Sequence, residues 1–416
     1  MEYGLIGKNI TYSYSDKIHM MLSGNSYELL SLSDEQKVLD FLKTDFKGIN
    51  ITIPYKNLAY KSVDSLSEIA RKTEVVNTVI KKDGKLYGYN TDVYGFSYLL
   101  DKNSIEIKDK NCLILGTGAT SRTVKFVLEN KGAKSIKFLS RKPDNKTSFT
   151  YGQKDIIEQA EIIVNTTPVG TSENNDSLLD FGDCKSLEYY VDVVYNPHKT
   201  KMVIEARDHG IKSVGGLDML IAQAAKSNEL FIGREHSEDK YHEIRVFLEK
   251  STLQIVFIGH PFAGKTALSR EFNKYFKGNF IDVDEEIIRR ENGKTIPEIF
   301  EEKGEAYFRS LETQIIKELS CKVGYLISLG GGAVLNNENM DLLRQNSIIF
   351  NVKRDIEKIS ENDIKNRPLC KDKNELKNII KNRKEIYEKY ADFEVDNSGL
   401  LEDSMKRIWR CLWKSL

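Results

Sequence analysis

Short apolar runs alternate with amphipathic stretches along nearly the whole chain. CLILG at Cys112 to Gly116 is followed by the helix-patterned TSRTVKFVLENKG, then by IKFLS, then by DIIEQAEIIVNTTP. Apolar runs bounded by turn formers read as buried strands, and the three-to-four spacing between them reads as helices laid on those strands. The rhythm predicts an α/β fold with parallel sheets. YGLIG, GINITI, NTVIKK and KLYGYN supply further strands within residues 1–100, without the glycine pattern that comes downstream. The strand-like run Asn111 to Leu115 leads into Gly116 and Gly118, and the helix after them closes at Lys131-Gly132, a C-cap signature. A further strand, Leu253 to Ile258, opens another amphipathic stretch; the charged, helix-patterned Ser237 to Lys250 reaches it with no Pro/Gly/Ser-rich linker.

Composition narrows the partners. Lys plus Arg and Asp plus Glu number 62 each and the signs alternate, so no surface for nucleic acid is expected. Cys112, Cys184, Cys321, Cys370 and Cys411 lie far apart with no CxxC pair, and the six histidines lack metal-ligand spacing. Both features suit a reduced, cytoplasmic chain. The start MEYGLIGKN has no signal-peptide pattern, and no apolar run approaches the ~18 residues that span a bilayer.

Two glycine loops carry the first chemistry. In GHPFAGKT, Gly259 to Thr266, a strand and a helix flank a loop that turns backbone N–H groups toward a triphosphate. Gly259, Ala263 and Gly264 shape that cradle, Lys265 supplies a point charge and Thr266 a Mg²⁺ ligand, which points to a nucleoside triphosphate. FIDVDEEI sets Asp282 and Asp284 two apart at the end of a strand; in an extended segment both project to one face, toward Mg²⁺ and an acceptor hydroxyl. The second loop, GTGATS, offers Gly116, Thr117, Gly118 and Ala119 to a pyrophosphate. An NAD-binding unit carries an acidic residue about 20 positions further on, whereas Ser140, Arg141 and Lys142 stand here, a set that favours the 2′-phosphate of NADP(H).

These readings divide the 416 residues into three domains, in line with ~150 residues for each. An open α/β substrate domain is expected over 1–100, completed by about 216–250; a Rossmann-like dinucleotide-binding domain over 101–215; and a P-loop domain with a parallel sheet over 251–416.

Residues 1–250 resemble the shikimate dehydrogenase family through several motifs in family order. SYS at Ser13 to Ser15 is similar to the family's SxS, implying Ser13 and Ser15 as holders of a substrate carboxylate. NITIPYK resembles NxTxPxK and implies Lys56 as catalytic lysine with Thr52 as a substrate contact. VNT and YNTDVYGF imply Asn77 and Asp92 as ring contacts, with Asp92 also the natural N-cap of VYGFSYLL. NTTPVG, DVVYNP and GLDMLIAQ complete the series and imply Tyr195 and Gln223 at the substrate and Gly216 and Met219 at the cofactor. A Lys beside an Asp suits the reduction of a ring ketone, since it donates the proton while staying charge-balanced.

Residues 253–416 resemble shikimate kinase. The match implies that Asp284 orients or deprotonates the acceptor hydroxyl, that Arg309 and Arg383 clamp a substrate carboxylate, and that Asp282 helps hold Mg²⁺. It implies that Gly330, Gly331 and Gly332 let backbone approach the ring, and that Arg367 rides a lid that closes over the phosphates. Helix-surface pairing, of Arg309 with Glu305 or Glu312 and of Arg383 with Glu388, is the competing role for those arginines. Together the two resemblances imply NADPH-dependent reduction of 3-dehydroshikimate followed by ATP-dependent phosphorylation of shikimate. A quinate-type, NAD-preferring dehydrogenase joined to a small-molecule kinase is one alternative. A ligand sensor without turnover is another, which has no chemical need of Lys56, Asp92, Lys265 and Asp284.

Overall fold

Three sheets form, and two are parallel throughout, as the alternation predicts. The computed structural model describes residues 1–10, 13–144, 146–359 and 372–415, and the chain divides into two compact units, Met1–Leu248 and Glu249–Leu416.

The first sheet is the exception to the parallel expectation. It contains β1 (Tyr3–Gly7), β2 (Glu28–Ser31), β3 (Gly48–Ile51), β4 (Ser65–Leu66), β5 (Thr78–Lys82) and β6 (Lys85–Tyr89), in the order β2-β1-β3-β5-β6-β4. β5 runs antiparallel to both β3 and β6. The β5–β6 pairing has a local cause: Asp83 and Gly84 both take positive φ, 52° and 72°, giving the tight turn whose twist suits an antiparallel hairpin.

The second sheet joins β7 (Asn111–Leu115), β8 (Ser135–Leu139), β9 (Ser148–Phe149), β10 (Ile162–Asn165), β11 (Tyr189–Asp192) and β12 (Lys212–Val214), in the order β12-β11-β10-β7-β8-β9. This is the dinucleotide-binding order, and its direction reverses between β7 and β10, where a crevice opens at the carboxyl ends of the strands. Helices cover both faces of this sheet, so β10 is buried at all four positions and reads as an unbroken apolar run.

Helix Leu217–Ile232 returns from the second sheet and packs along helices Asp92–Lys102 and Ser15–Ser23. Gly95 permits the close approach, because a Cβ there would stand 2.6 Å from the Met219 carbonyl oxygen and 3.1 Å from the Gln223 nitrogen. Arg122, on helix Ala119–Asn130, ties the two sheets of this unit together. Its Nε donates to the Thr73 carbonyl at 3.2 Å, and its Nη2 donates to the Glu74 carbonyl at 3.1 Å and to Asn57 Oδ1 at 2.5 Å.

Beyond helix Glu238–Thr252, the second unit holds β13 (Gln254–Ile258), β14 (Asn279–Asp282), β15 (Tyr325–Ser328), β16 (Ser347–Lys353) and β17 (Phe393–Asp396) in the order β14-β15-β13-β16-β17. The central strand β13 is buried along its whole length, and the phosphate loop leaves its carboxyl end. No described helix is long and apolar enough to cross a membrane, and the four described cysteines are free thiols.

Candidate functional site

In the first unit, two helix starts bring the reactive pair together. Lys56 opens helix Lys56–Ser62 after β3, and Asp92 opens helix Asp92–Lys102 after β6. Lys56 Nζ donates to Asp92 Oδ2 at 2.6 Å, with side chains only 11% and 7% exposed. Asp92 is not the N-cap expected from the sequence; Thr91 takes that position, with no side-chain capping bond, while the Asp92 carboxylate is engaged by Lys56 and Asn77. An acid in the first turn still meets the positive end of the helix dipole, so the placement is favourable without capping.

Asn77 is held on both ends of its amide. Its Nδ2 donates to Asp92 Oδ1 and Thr91 Oγ1, each at 3.0 Å, and approaches Gln223 Oε1 at 3.4 Å. Its Oδ1 accepts from the Thr91 backbone N–H at 2.8 Å. Behind this cluster stands a layer that sequence reasoning missed. Asn50 Oδ1 accepts from Tyr27 Oη at 2.7 Å and Ser227 Oγ at 3.3 Å, and Asn50 Nδ2 donates to Thr78 Oγ1 at 3.0 Å. His19 stacks on Tyr27 at 4.0 Å, and burial pushes its imidazole down to about 3, so it packs as a neutral ring. Asn50 lies inside a recognised motif and was readable as polar framework; Tyr27 carries no pattern that would single it out.

Ser13 and Ser15 lie together at the start of helix Ser15–Ser23. Ser13 Oγ donates to Ser15 Oγ at 3.0 Å and accepts from the Ser15 N–H at 3.2 Å. Tyr195 joins them through a hydrogen bond with Ser13 and a ring contact of 5.7 Å with Tyr14, and burial raises its phenol. Thr52 sits in the turn before Lys56, against Gly7, where a Cβ would strike its Cγ2 at 2.4 Å.

The dinucleotide loop lies at the sheet's switch point. Gly116 takes φ 97°, a conformation that favours glycine, and Gly118 begins helix Ala119–Asn130, with open space where a side chain would project. Room above a helix N-terminus fits a pyrophosphate at Gly116 to Ala119. Ser140 is buried and its Oγ accepts from the Lys142 N–H at 3.1 Å, while Arg141 and Lys142 are exposed at the end of β8. Gly216 begins helix Leu217–Ile232 hard against Val193, whose carbonyl oxygen would lie 2.2 Å from a Cβ; Met219 is buried in the apolar cluster with Val93 and Phe96.

The loops after β10 and β11 are locked by Asp192, another residue outside the expected set. It is fully buried and accepts from Thr200 Oγ1 at 2.8 Å and from Tyr190 Oη, Asn165 Nδ2 and the Val194 N–H, each at 3.0 Å. Burial outweighs these four donors and pushes its carboxyl up to about 6.

In the second unit, Lys265 opens helix Lys265–Phe276 and is buried, with Nζ donating to the carbonyls of Gly259 at 2.9 Å and His260 at 3.0 Å. Gly259 takes φ 143° and Gly264 φ 85°, and Asn397 Nδ2 pins the loop by donating to the Ala263 carbonyl at 2.9 Å. Thr266 Oγ1 donates to Asp282 Oδ2 at 2.6 Å, so a hydroxyl and a carboxylate meet beside the loop. Hard oxygen donors of this kind fit Mg²⁺, which keeps most of its shell as water and phosphate. Among the described residues no cluster of three or more His, Cys, Asp or Glu is set to hold a metal.

Asp282 and Asp284 do not share an extended strand as expected. β14 ends at Asp282, which caps helix Val283–Arg290 by accepting from the N–H groups of Asp284 at 3.0 Å and Glu285 at 3.3 Å; Asp284 stands in the first turn. Three acids in that turn and a capping aspartate favour the helix over a longer strand. Both aspartates still reach one cavity of about 360 Å³, lined also by Thr266, Arg309, Glu312, Gly330 to Gly332 and Arg383. A Cβ at Gly330 would lie 2.6 Å from Asp284 Oδ1 and one at Gly332 would lie 2.3 Å from Arg309 Nη2, so the glycine triplet makes room for both groups.

Arg309 pairs with both glutamates of its helix face, donating through Nη1 to Glu312 Oε2 at 2.9 Å and through Nη2 to Glu305 Oε1 at 3.2 Å, yet it lines the cavity. Arg383 reaches the glycine triplet, with Nη1 donating to the Gly331 carbonyl at 2.8 Å. Glu312 is buried, and desolvation pushes its carboxyl up to about 7, a cavity group the sequence showed only as an ion-pair partner. Arg367 and Cys370 lie outside the described residues.

A dinucleotide-dependent oxidoreductase unit followed by a phosphate-loop kinase unit is the class that these folds and sites define. The family model for the shikimate dehydrogenase substrate binding domain matches residues 5–79, and that for shikimate kinase matches residues 261–413. The shikimate dehydrogenase (NADP(+)) of Clostridium perfringens is 35% identical over 265 residues, covering 58% of this chain and 98% of the relative. A chorismate mutase/shikimate 5-dehydrogenase fusion protein from Clostridium acetobutylicum aligns with TM-score 0.56 and 32% identity, covering 60% of this chain and 97% of its own. The shikimate 5-dehydrogenase of Thermus thermophilus, solved in complex with NADP(H) and shikimate, gives 0.54 and 27% over 59% of this chain and 99% of its own. The chain belongs to the shikimate dehydrogenase family and carries a shikimate kinase domain after it, which makes it a bifunctional enzyme of the shikimate pathway.

Proposed function

We propose that the first unit reduces 3-dehydroshikimate to shikimate and that the second phosphorylates the 3-hydroxyl of that product. The buried Lys56–Asp92 pair supports the first reaction most directly. NADPH, when bound at Gly116 to Ala119 with its 2′-phosphate toward Ser140, Arg141 and Lys142, supplies the hydride. Lys56 gives the proton to the ketone oxygen and Asp92 keeps its ammonium in place, so ketone, hydride and proton together make the alcohol. Ser13, Ser15 and Tyr195 hold the carboxylate end, while Thr52, Asn77 and Gln223 orient the ring hydroxyls. Gly216 and Met219 border the nicotinamide.

In the second unit Asp284 accepts the proton of the attacking hydroxyl and Lys265 neutralises charge that develops on the moving phosphoryl group. Arg309 and Arg383 clamp the carboxylate, and Thr266 with Asp282 holds Mg²⁺. The experiment that tests both reactions supplies 3-dehydroshikimate, NADPH and Mg-ATP to the whole chain and follows products by mass. Shikimate 3-phosphate is expected only when all three are present. Oxidation of NADPH without a phosphorylated product would remove the kinase reading, and equal rates with quinate and NAD in the reverse reaction would favour the quinate-type alternative.

A further inference from the structure

Phe262 stands inside the phosphate loop with φ 67°, the left-handed region that a bulky side chain rarely occupies. A non-glycine residue held there is strained, and it persists where its surroundings over-determine it. Among the described residues, the ring packs in a small apolar cluster with Ile356, Ile359, Leu376, Ile379 and Ile380. Three of these belong to helix Lys373–Tyr390. One and two turns further along, the same helix presents Arg383 and Tyr387, which donate to the Gly331 carbonyl at 2.8 Å and 2.6 Å. Gly331 in turn closes back on the phosphate loop, since a Cβ there would lie 3.0 Å from Pro261 Cδ. The contacts therefore make a ring, from loop to helix to glycine triplet to loop, and Ile379 and Arg383 line the acid cavity on the way.

We propose that Phe262 is a positioning residue, which hooks the phosphate loop to helix Lys373–Tyr390 so that an acid held by Arg383 and a triphosphate held by the loop strengthen each other's binding. The inference rests on the kinase reading above. An acid that fixes Arg383 fixes the helix, and the helix fixes the loop through the Phe262 ring; a nucleotide arriving second then meets a loop already ordered. By linkage the effect is the same in either order of addition.

The test is calorimetry on the full chain, with Mg-ADP titrated in the absence and in the presence of saturating shikimate. A ratio of affinities of roughly fivefold or more is expected. Phe262→Gly keeps the backbone conformation accessible but removes the ring, and it brings the ratio to about one; Phe262→Leu restores part of it. Ile380→Ala, on the helix side of the contact and away from the ligand groups, lowers the ratio likewise. Far-UV circular dichroism and a cooperative urea transition of the second unit, at Glu249–Leu416, report that each variant is folded. A ratio of one in the unaltered chain, or an undiminished ratio in both Phe262→Gly and Ile380→Ala, overturns the proposal. Failure of the unaltered chain to bind Mg-ADP at all would instead overturn the kinase reading.

Discussion

Lys56 and Asp92 are both buried, so each depends on the other for charge balance. Lys56→Ala is expected to slow ketone reduction by about a hundredfold to ten-thousandfold, the usual contribution of a positioned acid. It also leaves a carboxylate without its cation, at a cost of about 3 kcal/mol in the first unit. Lys56→Ala/Asp92→Asn should recover much of that stability and none of the activity, which steady-state kinetics and urea unfolding separate. Glu312 is expected to give the kinase a pH dependence. Its folded value, raised to about 7 from 4.5 by desolvation, means that the protonated form is favoured in the cavity. Its contribution to stability is therefore present below pH 4.5 and lost as the pH rises through about 7. Once ionised, it competes for Arg309 and repels the incoming carboxylate, so KM for shikimate should rise across that window. Glu312→Gln should flatten the rise; a profile unchanged by the substitution would count against this role. Asp192 has the same sign in the first unit, with stability falling as the pH rises through about 6, and Asp192→Asn should weaken that dependence in pH-dependent melts.

At the scale of elements, helix starts and glycine contacts set the sites. Lys56, Asp92, Lys265 and Asp284 all sit in the first turn of a helix that follows a strand. The sequence showed the strand-helix rhythm, but it did not show where β14 stops, because capping by Asp282 decides that boundary and an alternating pattern reads equally well as one more pair of strand residues. The antiparallel hairpin was written in Asp83-Gly84 and went unread against the parallel rhythm around it. Gly216 offers the sharpest test of packing. Its φ of −79° is open to any residue, yet a Cβ would stand 2.2 Å from the Val193 carbonyl oxygen. Gly216→Ala should cost about 1–3 kcal/mol and raise KM for NADPH, as the helix start shifts. Gly152→Ala, where nothing lies within 4 Å of the added carbon, should leave both unchanged.

For the whole molecule, each of the two compact units holds one of the two proposed sets of reacting groups. Lys56→Ala should remove only the redox reaction and Lys265→Ala only phosphoryl transfer, with the other activity within about twofold; assays of both activities on each variant check this. Loss of both from one substitution would show that the two sites do not work independently. What the sequence determined alone is the chemistry that local order can encode: glycine loops between strand and helix, the lysine in one of them, and motif residues fixed relative to a turn a few positions away. Only the tertiary structure decided which distant groups complete those motifs. Tyr27 behind Asn50, Asp192 across the β10 and β11 loops, Glu312 with Asp284 in one cavity, and Phe262 against a helix more than a hundred residues on all act through packing. Such contacts depend on burial and close approach between separate elements, and neither leaves a period or a spacing in the chain.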